Sequence, residues 1–184
     1  MRKLLISLHT LLAAFFLPMG IMYAITGGLY GLGLKGSYET ERHTIELSAP
    51  ADRELSTLVS LAESELAARD VAVPSGSAGV KSAGTSWYFE WTGSRRDVRL
   101  VPTESARELT LEIKNTDPHR FFVQLHKAKG GTAFKWFAAV WMGGLVLLFV
   151  SGGMMALSVK AFRPLAIWST IAGTVVFAAM AFLN

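Results

Sequence analysis

The sequence predicts an α+β membrane protein in which three transmembrane helices carry a helix-plus-antiparallel-sheet domain inserted after the first. Three observations predict it. Hydrophobic residues make up 51% of the chain and charged residues only 17%, against a usual charged share of about 25%. All 14 acidic residues lie between Glu39 and Asp117. The stretch from Lys35 to Lys129 carries a net −1, and outside it Arg2, Lys3, Lys135, Lys160 and Arg163 flank long apolar runs. The formal net charge of +4 therefore resides on basic ends, and no patch for nucleic acid is expected. A soluble single domain is excluded.

The first apolar segment, residues 4–34, contains no Asp, Glu, Lys or Arg. About 20 apolar residues cross the roughly 30 Å of bilayer hydrocarbon, so this segment has length to spare. A cleaved signal peptide has an apolar region of about 7–15 residues and a small-residue cleavage site. This run is longer, carries His9 and lacks an A-x-A site, so a retained anchor is expected. Pro18 is tolerated, because neighbouring helices re-satisfy a freed carbonyl in a membrane.

In the charged middle, residues 43–47 read as a strand. Residues 52–69 place Leu55, Leu58, Val59, Leu61, Ala62, Leu66 and Ala67 at a helical period, with Asp52 as the expected cap. Residues 73–84, rich in Gly, Ser and Pro, read as a loop or weak strand. Alternation predicts strands over 86–92, 97–101 and 108–113, with one more over 121–125. Trp87, Phe89 and Trp91 share one face of their strand and are expected to meet the helix as core, with Tyr88 opposite.

Two further apolar runs, residues 134–159 and 164–183, are separated only by Lys160–Arg163. Such a short turn predicts a helical hairpin, with Pro164 opening the third helix. Arg2 and Lys3 precede the first span, and Lys160 and Arg163 lie between the second and third, an even number of crossings apart. Basic residues favour the cytoplasmic side. The domains expected are 1–34 (helix one), 35–133 (exposed), 134–159 (helix two), 160–163 (cytoplasmic turn) and 164–184 (helix three). Trp136, Trp141 and Trp168 suit aromatic-belt positions.

Two stretches carry a resemblance. Leu8-His9 is followed by an apolar run and Thr26-Gly27; Leu125-His126-Lys127-Ala128-Lys129-Gly130-Gly131 is followed by an apolar run and Ser151-Gly152-Gly153. With the intervening module, residues 1–160 resemble the PepSY-associated transmembrane (PepSY-TM) family, of which this would be a short three-span member. The resemblance implies a multi-pass protein of the bacterial inner membrane. Its amino terminus would be cytoplasmic, and its PepSY-like domain (35–133) and carboxyl terminus periplasmic. Larger members resemble haem b reductases of iron–siderophore complexes, with four or more spans and additional histidines. Here the third span contains no histidine.

The candidate chemistry is sparse. Zero cysteines remove disulfides, thiolate metal sites and cysteine nucleophiles. His9 lies in the first span and His126 before the second, separated by most of the roughly 30 Å core. One haem therefore cannot take both within one chain. If haem b is bound, His9 with Met155, or His126, would be its ligands, paired through a dimer or a partner subunit. Otherwise His9 is expected to hydrogen-bond across a helix contact, and His126 to sit wet at the interface. His43 and His119, the latter beside Asp117, fall short of a three-ligand metal site. Gly31–Gly36 spells G-x-G-x-x-G, but an apolar helix rather than a strand precedes it. Glu39/Glu41 and Glu63/Glu65, each spaced by two, would diverge on a helix. Arg95, Arg96 and Arg99 cluster at a hairpin. Gly20, Ala24, Gly27 and Gly31 on helix one, and Gly143, Gly144, Gly152 and Gly153 on helix two, form small faces suited to close helix packing.

No nucleophile–base pair or phosphate loop in context assembles, so the sequence leans away from an enzyme. It reads first as a binding or accessory protein in the lipid bilayer, with a membrane-protein partner or a homodimer. By resemblance its setting is envelope iron handling or a membrane redox complex. The alternatives are haem b electron transfer and, by fold analogy, restraint of an envelope protease.

Overall fold

In the computed structural model, which describes residues 2–84 and 86–183, a 30-residue helix α1 (Arg2–Gly31) leads into strand β1 (Tyr38–Glu46). Helix α2 (Leu55–Ala67) and strands β2 (Ala78–Ala83), β3 (Ser86–Trp91), β4 (Arg96–Pro102) and β5 (Glu108–Thr116) follow. A short helix α3 (Pro118–His126) precedes α4 (Thr132–Ser158) and α5 (Arg163–Phe182). Helices α1, α4 and α5 are long and apolar enough to cross a membrane; even the shortest, 20 residues, spans about 30 Å at 1.5 Å per residue. Met1 and Asn184, the outer limits of the first and last predicted domains, lie outside the described residues.

The chain forms two compact units, Met1–Gly20 with Ala139–Asn184, and Ile21–Ala138. In the second, a five-stranded antiparallel sheet has the order β1-β5-β4-β3-β2. Leu109, Leu111 and Ile113 of β5 alternate onto one face beside Val98 and Leu100 of β4 and Phe89 of β3. Leu58, Ala62 and Leu66, four residues apart on α2, bury against that face. Trp87 and Phe89 are buried there and Trp91 packs alongside, as their spacing predicts. Tyr88 takes the other face, under the Arg99 guanidinium at 5.1 Å.

Several boundaries differ from the sequence expectations, each for a local reason. Residues 121–125 belong to helix α3 rather than a strand. Asp117 caps that helix by accepting the Arg120 backbone N–H at 2.5 Å, and Pro118 supplies the preset φ of a first turn. Asp52 does not cap α2. Its carboxylate accepts the Glu54 N–H at 3.2 Å, and Glu54 occupies the cap position, its side chain accepting from the Ser56 hydroxyl rather than from the helix backbone. The Gly/Ser-rich stretch ends in β2, an edge strand paired to β3. Glu39 and Glu41 lie on β1, where a spacing of two puts them on the same face, not on diverging ones.

Glu112, outside the spans, sits below the ordinary carboxyl range. Burial pushes its pKa up, but hydrogen bonds and charge from Lys114 and Arg42 bring it down further. Asp117 is lowered from 3.8 to about 2 by the Arg120 backbone N–H and then by the Ser37 hydroxyl and N–H. A depressed folded-state pKa contributes stability that is complete above the unfolded value and lost as pH falls through the folded one. The Asp117 contribution should therefore be intact above pH 3.8 and disappear towards pH 2. A thermal midpoint followed from pH 5 to pH 2.5 should fall less steeply in Asp117→Asn than in the parent.

Candidate functional site

The polar groups within the apolar helices are the place to look for chemistry, since an ionisable side chain there is costly unless engaged. In the first unit, His9 Nδ1 lies 2.8 Å from the Ser151 hydroxyl of α4. Ser151 Oγ is also 2.6 Å from the Leu147 carbonyl one turn earlier. A hydroxyl has one proton, and the carbonyl can only accept it. The Ser151 oxygen must then accept from an N–H at His9 Nδ1, which leaves the lone pair of the neutral ring on Nε2. Gly152 lies beside the ring, where a Cβ would stand at an ordinary contact distance of 3.5 Å from His9 Cε1. Nearby, the Trp141 indole N–H donates to the Phe16 carbonyl at 3.3 Å, and Phe16 occupies the space that a Gly144 side chain would need.

The second unit contains the same arrangement with the roles exchanged. His126, at the end of α3, has Nδ1 2.8 Å from the Thr26 hydroxyl of α1. Thr26, buried, donates to the Met22 carbonyl at 2.6 Å, so here too the ring nitrogen is the donor. Gly27 lies under the imidazole, with His126 Cε1 3.1 Å from where a Cβ would stand. The ring stacks on Tyr23 at 4.4 Å between centroids. Each Leu-His pair thus meets the hydroxyl–glycine pair of the other stretch. Compared with known protein families, curated proteins and solved structures, the chain matches none. What these two clasps do must be read from their own geometry.

Each clasp fixes a ring by one nitrogen and leaves the other basic. Metal-bound imidazoles carry this pattern, with the second N–H donated to an outer partner. If haem were bound, His9 and His126 would each offer one ring nitrogen to hold it, and Met155 lies one turn beyond Ser151 on α4. Each clasp offers one imidazole nitrogen, so a haem held there would need a second ligand. Among the described residues no group of three or more His, Cys, Asp and Glu forms a metal cluster. His119 Nε2 is 3.1 Å from the Leu34 carbonyl, and His43 faces Glu41 at 3.8 Å.

The small residues divide. Gly27, Gly144 and Gly152 lie under aromatic rings, whereas a Cβ at Gly20, Gly31, Gly143 or Gly153 would meet open space, and Ala24 is exposed. The three arginines are not one patch. Arg99 pairs with Glu90, Arg96 bonds the Ala72 carbonyl at 3.1 Å, and Arg95 lies over Phe121.

Sequence reasoning passed over Asp97. It is 5% exposed and gathers Tyr38 O–H at 2.8 Å, Gln124 Nε2 at 3.2 Å, Lys129 Nζ at 3.3 Å and the Gly93 N–H at 3.0 Å. Strand β1, strand β4, helix α3 and the segment before α4 meet on this one carboxylate. Burial raises the Tyr38 phenol above its ordinary range, with Arg120 opposing and Asp97 adding to the rise. No spacing signal marked Asp97, since Tyr38, Gln124 and Lys129 all lie far from it in the sequence.

Ser151→Ala and Thr26→Val should each lower stability by about 0.6 kcal/mol and by no more than about 2 kcal/mol, the span found for interhelical hydrogen bonds in membranes. A double-mutant cycle of Thr26→Val with His126→Ala, read as thermal midpoints in detergent, should show coupling.

Proposed function

We propose that this chain is a membrane-embedded binding or accessory protein of the bacterial inner membrane, related to the PepSY-TM family. It would serve envelope iron handling or a membrane redox complex through a partner protein. The observation that supports this reading is the engagement of the half-buried histidines and the buried Asp97. His9, His126 and Asp97 each hold helices or strands together. Helix α5, meanwhile, buries none of its residues within the chain and is left for lipid or a partner. The orientation follows from Arg2, Lys3, Lys160 and Arg163, which favour the cytoplasm.

The cysteine-free sequence makes a direct test simple. Single cysteines at Ser82 and at Ser158 are expected to react with an impermeant maleimide in intact cells at the first position only. In-membrane crosslinking from α5 should then capture a membrane protein, and a chain that crosslinks to nothing but lipid would count against an accessory role.

The Nε2 lone pairs favour a second reading, haem b electron transfer in a dimer or with a partner subunit. When bound, haem would supply one-electron chemistry, while His9 and His126 would hold it and their hydroxyl partners would fix ring orientation. An absorption spectrum of detergent-purified protein produced with haem supply decides it. A reduced α-band that disappears in His9→Ala or His126→Ala establishes this reading, and a colourless folded preparation removes it for the isolated chain.

A further inference from the structure

Beside the His126 clasp is an open pocket of about 330 Å³ whose walls include Gly27, Tyr30, Gly31, Val123 and Lys127. Its chemistry is uneven. The walls are mainly apolar, yet two ammonium groups converge on a single ring, with Lys35 Nζ 5.2 Å and Lys127 Nζ 6.0 Å from the Tyr30 centroid. The lysine ion pairs among the described residues are those of Lys114 and Lys129, so neither of these two meets a carboxylate. Two helices, α1 and α3, end here, each bringing about half a negative charge of dipole. Two lysines outweigh that by about one unit. The loop carrying Lys35 is fixed in place: Arg120 donates to the Lys35 carbonyl at 3.1 Å, and His119 Nε2 bonds the Leu34 carbonyl. Lys127 is the residue that ends α3.

We propose that Lys35, Lys127 and the Tyr30 hydroxyl bind the phosphate of an anionic phospholipid. The apolar length of α1 brings this pocket to the depth at which a bilayer places its headgroups. A charged phosphate flanked by acyl chain matches cationic groups set on apolar walls. The chemistry needed is a phosphodiester with net negative charge, which phosphatidylglycerol has and phosphatidylcholine lacks. This inference rests on the membrane reading above.

The test uses the whole protein in mild detergent, offered phosphatidylglycerol or phosphatidylcholine at equal mole fraction, with retained lipid counted by native mass spectrometry. Phosphatidylglycerol should be retained about ten-fold more, and Lys35→Gln and Lys127→Gln should each reduce that preference by about five-fold. Lys81→Gln, on the edge strand, should leave it unchanged. Equal retention of the two lipids, or a preference that survives in both lysine variants, overturns the site. Glycerol 3-phosphate without lipid should form no adduct; one as abundant as the lipid adduct moves the ligand into solution and overturns the lipid assignment. If Lys35→Gln disturbs folding, judged by its thermal midpoint, Lys127→Gln alone decides. A carbonate wash of membranes separates the two levels of failure. Protein released by the wash defeats the membrane reading itself, whereas retained protein without lipid preference defeats only this site.

Discussion

Asp97→Ala should be among the most damaging single substitutions in the chain, costing about 3–5 kcal/mol as expected when one partner of a buried charge network is removed. The carboxylate is 5% exposed and Gln124 is fully buried, so the Gln124 amide would have no water to replace its acceptor. Lys129, Gln124 and Tyr38 would all lose an acceptor together. For a domain of about 100 residues, a loss of this size lowers the thermal midpoint by about 10–20 °C or more. Asp97→Asn should be milder, since its one amide oxygen can still take the Oδ2 side and accept from Tyr38, Gln124 and Lys129, losing only the Gly93 N–H that now bonds Oδ1. Thermal melts of the detergent-purified variants, followed by tryptophan fluorescence, give the comparison. Near-parental behaviour of the alanine variant would show that the network is not a keystone.

Gly36→Ala is the second. Gly36 has φ +69°, and a Cβ there would stand 2.5 Å from the Arg120 backbone nitrogen and 2.8 Å from its Cα. A left-handed alanine costs about 1–2 kcal/mol, and overpacking adds about 1–3 kcal/mol. Because the obstructing atoms are backbone, no rotamer change relieves them. Gly33 is the built-in control. It also has positive φ, +84°, but a Cβ there would meet open space, so Gly33→Ala should show only the conformational cost. Comparable losses at both positions would mean that the loop moves away from α3 without penalty.

The elements that could be read from sequence are those whose signal is periodic. The three apolar helices and the strands at 86–92, 97–101 and 108–113 follow from hydropathy and alternation, because burial of one face imposes a repeat. Helix α3 was misread because Phe121 and Phe122 mimic a strand, while the deciding contact is the Asp117 carboxylate on the Arg120 N–H. The histidine clasps were half legible. His9 and His126 stood out as ionisable groups beside apolar runs, and Thr26-Gly27 and Ser151-Gly152 as repeated hydroxyl–glycine pairs. The exchange of partners between the two stretches, and the hydroxyl proton that fixes each tautomer, depend on helix approach that no local pattern encodes. Asp97 and the cation pair over Tyr30 were invisible for the same reason, their members being drawn from opposite ends of the inserted domain.

One consequence follows from the pairing of β1 with β5. Tyr38 stands opposite Thr116, and the register runs unbroken to Glu46 opposite Glu108. The chain therefore enters and leaves the sheet side by side, and Ser37 and Asp117 close the junction with a backbone bond of 3.2 Å and two side-chain bonds of 2.7 and 2.6 Å. Pulling the two tails apart would load this ladder as a zipper, one rung at a time, rather than in shear across all rungs at once. Tension between the tails falls first on the Ser37–Asp117 fastening, which makes that pair the mechanical fuse of the inserted domain.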